Sequence, residues 1–210
     1  MANELDLNTI FQAVTQQLSE KKEMLNEADN FNHNHGDNMV QIFDLVQKAI
    51  AEQADRPVSE QLKYAGKVVE QNANSGSAAL YAQGLTRASE NLKGASLSPD
   101  MVSVLVQSLL GTNQSRPQTQ PQPKKGLLGS LLSSFLGKQQ SQSSDQQLGL
   151  DDLLQIGQAF MQEQQGGGGL SESALQALLS GSPMGESEHR KESGSLVAST
   201  MMDFVKSLSK

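Results

Sequence analysis

A chain of 210 residues, 36% hydrophobic and only 4% aromatic, can bury one moderate core, and the expectation is a single domain interrupted by a flexible segment. Its 16 basic and 23 acidic side chains leave a net charge of -7, which offers no general attraction for nucleic acid or anionic lipid; without cysteine, disulfides, thiolate nucleophiles and sulfur-ligated metal centres are excluded. The amino-terminal MANELDLNT is acidic and lacks the positive start and apolar run of a signal peptide, and no stretch reaches the length of a membrane span, so a cytoplasmic protein is expected.

Leu7, Ile10, Phe11, Val14 and Leu18 recur at the spacing of one helix face, and the pattern can run on to Leu25. A polar loop, LNEADNFNHNHGDNM from Leu25 to Met39, follows. Met39, Ile42, Phe43, Val46 and Ile50 then give a second helix that stops near Arg56-Pro57, and a third is expected from Ser59 to about Glu70. The loop QNANSGS feeds a fourth helix carried by Leu80, Tyr81, Leu85, Ala88 and Leu92. Ser98-Pro99-Asp100 reads as cap, first-turn proline and acidic first turn of a fifth, through Leu109.

Between Gly111 and Gln147 the composition shifts to Gln, Ser, Pro and Lys, too polar to offset the entropy of ordering, and disorder is expected there apart from a short apolar helix in GLLGSLLSSFLG, 126–137. That helix is expected to dock on its own domain, with a partner or a membrane surface as alternatives. Leu150 to Phe160 reads as another helix, Gly166 to Gly169 as a hinge, Ser171 to Leu179 as a short helix, and Ser195 to Leu208 as the last. The loop before it, GSPMGESEHRKESGS, holds the third histidine, His189. No alternating strand pattern occurs. The expected architecture is therefore all-α, an antiparallel helical barrel or bundle of about eight helices: residues 1–111 its first part, 112–147 the low-complexity insertion, 148–210 the remainder.

In an antiparallel bundle, loops separated by an even number of helices share one end, and three helix amino termini converging there would suit a polyphosphate. Taken alone, the first loop is as well explained by a polar turn that caps two helices, and for the second simple N-capping is the favoured explanation. The three together, FNHNHGDNM from Phe31, NANSGSAALYA from Asn72 and SPMGES from Ser182 followed by Glu192-Ser193-Gly194, resemble the nucleotide-binding L-subunit domain family of dihydroxyacetone kinase, of which this chain looks like a divergent member. In that family the loops read approximately G-D-G-D-H-G-x-N-M, G-x-x-S-G-x-L-Y-G and S-x-x-G-E-R followed by D-P-G-A. The resemblance implies a helical barrel binding ADP or ATP with Mg2+ at one end, and phosphoryl transfer with a separate substrate-binding subunit.

By that resemblance Asn38, Ser75, Gly76 and Ser77 would contact phosphates, Met184 and Gly185 would lie near the base, and Asp29, Asn32, Asn34 and Asp37 would surround the metal, with no catalytic side chain in this domain. Asn32 and Asn34 stand where the family has aspartates, Glu192-Ser193 where it has Asp-Pro, and Ser187 where it has arginine. Neutral amides bind Mg2+ more weakly than carboxylates. His33 and His35, with His189 and Asp29 or Asp37, offer a nitrogen and oxygen set for Zn2+ as an alternative, solvated histidines being the plain explanation. Two functions follow: a divergent kinase-type nucleotide-binding domain, or a catalytically degenerate helical scaffold. A metal-dependent hydrolase is the third and weakest, and a homo-oligomer is compatible with the sequence.

Overall fold

A computed structural model describes residues 5–111 and 172–208. Among these residues there are eight α-helices, one 3-10 turn and no strand, as the all-α expectation required. The insertion with its apolar helix, the helix expected from Leu150 and the glycine hinge lie outside the described residues.

The first helix, α1 (Leu7–Glu20), is capped by the Asp6 carboxylate, which accepts from the N–H groups of Asn8 and Thr9, and it buries Leu7, Ile10, Phe11, Val14 and Leu18. The periodicity predicted one helix through to Leu25. The structure instead breaks it at Lys21 (φ −100°, ψ 8°) and restarts as α2 (Lys22–Glu27). The break serves the contact with the next helix, because the Lys22 carbonyl lies where a Cβ on Gly36 would stand. Only glycine permits that approach.

α3 (His35–Glu52) and α4 (Val58–Asn72) are joined by a turn closed by Gln61, whose amide donates to the carbonyls of Ala54 (3.3 Å) and Arg56 (2.7 Å). α5 (Gly76–Asn91) is capped by Ser75, whose hydroxyl accepts from the Ala78 N–H at 3.1 Å. α6 (Pro99–Leu110) starts from the Ser98 cap and ends at Gly111, in the left-handed conformation that favours glycine (φ 82°). α7 (Glu172–Ser180), the 3-10 turn Pro183–Glu186 and α8 (Glu188–Leu208) complete the described chain.

The order of packing is a closed ring: α1 on α3, α3 on α4, α4 on α5, α5 on α6, α6 on α8, and α8 back on α1. Helices from both sides of the insertion therefore share one core, centred on Phe11, Phe43 and Tyr81. The Phe43 ring lies 6.0 Å from that of Phe11 and meets that of Tyr81 edge-on at 5.0 Å. Gly84 lets α5 approach α6 closely, since a Cβ there would sit 2.8 Å from Leu109 Cα.

α8 starts at Glu188, not at Ser195. Sequence reasoning treated Ser193-Gly194 as the close of a loop, but Gly194 sits inside the helix because a Cβ there would press on Leu179 (2.9 Å) and Leu110 (3.3 Å). This correction carries His189, Arg190 and Ser193 from a loop onto a rigid helical turn. No helix among the described residues is long and apolar enough to cross a membrane.

Candidate functional site

The turn between α2 and α3 is built on Asp29, which is only 4% exposed. Its carboxylate accepts the backbone N–H groups of Phe31 (3.1 Å) and Asn34 (3.4 Å) and lies 3.9 Å from His189 Nδ1. Burial on its own would raise the carboxyl's pKa; the backbone donors and His189 outweigh it and hold Asp29 below the ordinary carboxylate range. Asp29 thus orders the loop as a fixed anion. His33 occupies the left-handed region (φ 54°), with its Nδ1 3.3 Å from the Asn26 carbonyl, and Phe31 projects outward, 92% exposed.

His35, Gly36, Asp37 and Asn38 form the first turn of α3. His35 is 4% exposed; its Nε2 lies 2.9 Å from Ser193 Oγ, which itself donates to the Arg190 carbonyl at 3.1 Å. Its ring is tilted against that of His189, centroids 4.6 Å apart, and His189 Nε2 reaches Ser187 Oγ at 3.2 Å. Burial, with help from His189 and Arg190, pushes His35 down to about 4, against the opposing pull of Asp29. At neutral pH it is an uncharged hydrogen-bonding element in the wall.

Two segments therefore meet through α8, and the third meets them by the same turn. Arg190 lies over the start of α5: its Nη2 would be 2.6 Å from a Cβ on Gly76, and its Nε is fully buried without a hydrogen-bond partner. Beside Gly76 opens a cavity of about 700 Å3, whose walls include Glu70, Asn74, Ser75, Thr86 and Arg87. Ser77 is buried in the first turn of α5.

The other expected site residues sit differently. Asp37 faces α2: it accepts from Asn26 (3.0 Å) and pairs with Lys22 (3.3 Å), raising the pKa of that lysine chiefly by the hydrogen bond between them. Asn34 Oδ1 accepts from Asn38 Nδ2 at 2.8 Å, and Asn32 and Asn34 are both exposed. Met184 is buried in the core, Gly185 turns tightly beneath the Leu179 carbonyl, and neither lines the cavity. Among the described residues no three His, Asp or Glu side chains gather as a metal would require. The residues present do not fit carboxylate-held Mg2+: Asp29 is occupied by backbone donors, Asp37 by Lys22 and Asn26, and the amides carry no charge.

Residues 34–128 match the model of the DAK2 domain. That match supports membership of the dihydroxyacetone kinase L-subunit domain family. The all-α ring of helices is consistent with that domain type. The match starts at Asn34, immediately ahead of α3, and takes in α3 to α6 with both the His35–Asn38 turn and the Ser75–Ser77 turn. No curated protein and no solved structure matches the chain. Outside the DAK2 match lie Asp29 and the whole of α8, and these supply His189, Arg190 and Ser193. Sequence reasoning passed over Arg190 and read Ser193 only as part of a departure from the third family motif. The signal for them was the helix-forming run Glu188–Glu192, which places positions 189, 190 and 193 within about one turn.

Proposed function

We propose that this DAK2 domain binds the phosphates of ADP or ATP where the His35 turn, the Ser75–Ser77 turn and the first turn of α8 meet, and serves phosphoryl transfer together with a separate subunit that supplies the acceptor. One observation carries the reading: a single helical turn touches both loops, His189 reaching Asp29 and His35 while Arg190 lies on Gly76. The first-turn N–H groups of Gly76 and Ser77 precede any helical acceptor and carry the positive end of the α5 dipole, so a phosphate oxygen is their natural partner. The neighbouring cavity leaves room for the rest of a nucleotide. In this reading no side chain of the domain attacks phosphorus; the domain's part is to hold the nucleotide and balance its charge.

Calorimetric titration with ATP, ADP, AMP and adenosine tests the proposal. Affinity should fall as phosphates are removed and vanish with adenosine. Silence towards all four would favour the second reading, a helical scaffold without nucleotide, for which the replacement of carboxylates by Asn32 and Asn34 and the outward-facing Phe31 speak.

A further inference from the structure

We infer that the site holds a nucleoside diphosphate without a divalent cation, the Arg190 guanidinium standing over the amino end of α5 in the metal's place. The inference rests on the nucleotide reading above and departs from the metal-dependent form of it.

It follows from an account of charge. A diphosphate leaving water needs compensating positive charge and donors. A hard cation could provide them only if free oxygen anions held it on the protein side, and the carboxylates at the α2–α3 turn are already engaged. Asp29 is bound by the N–H groups of Phe31 and Asn34, Asp37 by Asn26 and Lys22, and the Asn34 carbonyl by the Asn38 amide.

Positive charge at the same junction is, by contrast, uncommitted. No carboxylate pairs with Arg190 among the described residues, and its Nε, buried although the residue as a whole is partly exposed, has no acceptor, and an orphaned buried donor is costly. The absence of a side chain on Gly76 is what lets the guanidinium lie there. An anionic oxygen reaching the α5 amino end would satisfy that donor together with the α5 amides. Arginine suits the task because its planar fork presents fixed donors to paired phosphate oxygens.

The test is titration of the full chain with ADP and with inorganic pyrophosphate, first in EDTA and then in excess Mg2+. The Kd in EDTA should stay within about threefold of that in Mg2+. Arg190→Gln should weaken binding in EDTA by about tenfold or more, whereas Lys93→Gln, just beyond the far end of α5, should leave it unchanged. Far-UV circular dichroism checks the folding of each variant. Should Arg190→Gln not fold, Arg190→Lys decides, since it keeps the charge and loses the fork: weakened binding supports the inference and unchanged binding overturns it. Binding seen only with Mg2+ would overturn the metal-free inference and leave the nucleotide reading standing. No binding of either ligand in either condition would overturn both.

Discussion

His35 gives the site a measurable pH signature. In the unfolded chain its imidazole titrates near 6.5, and in the folded protein near 4, because protonation would put a buried cation beside His189 and Arg190 with only Asp29 to offset it. The folded pKa is the lower one, so the stabilisation is present above the unfolded value and is lost as pH falls from about 6.5 towards 4. Unscreened, the loss relative to neutral pH is about 2 kcal/mol at pH 5 and about 3 kcal/mol at pH 4. Solvent near the turn screens part of this, and about 1–2 kcal/mol over that range is the expected effect. Urea unfolding followed by circular dichroism at several pH values measures it, with His35→Gln as the comparison, since glutamine can still bond Ser193 without titrating. Stability of the native chain should fall more steeply between about pH 7 and 5 than that of the variant. Equal slopes would refute the buried, neutral state of His35.

Gly84→Ala would set a methyl 2.8 Å from Leu109 Cα, and the gain in helix propensity of about 1 kcal/mol does not offset the overpacking; a net loss of about 1–2 kcal/mol should appear in the urea midpoint. Phe43→Ala removes the ring between Phe11 and Tyr81 and should cost about 3–5 kcal/mol by the same assay. Ser98→Ala removes the α6 cap and should cost about 1 kcal/mol. Asn32→Asp combined with Asn34→Asp should make ADP binding respond to Mg2+ where that of the native chain does not, read by calorimetry.

The helices were legible wherever one face is apolar. The buried residues of α1, Leu7 through Leu18, are the residues whose spacing predicted it, and Ser98-Pro99-Asp100 marked the start of α6 as written. Two boundaries were not legible, for related reasons. The break at Lys21 answers to Gly36, fifteen positions on, and the early start of α8 answers to Leu179 and Leu110 packed against Gly194; a local window sees neither. The site shows the same division. His35 and the Ser75–Ser77 turn stood out by local composition, and Asp29 through the resemblance. Arg190 did not, because its meaning comes from Gly76, more than a hundred residues away. Asp37 looked like a ligand by position, yet its carboxylate faces Lys22, which adjacency in sequence could not reveal.

The most direct test of a phosphate site shared by three segments is a heteronuclear NMR titration of the labelled chain with ADP, followed through backbone amides and arginine Nε–H signals. Perturbation concentrated at 34–38, 75–78 and 187–193, with the Arg190 Nε–H moving as a hydrogen bond forms, is the predicted result. Shifts confined to other surfaces, or an Arg190 signal that stays in place while ADP binds, would contradict it.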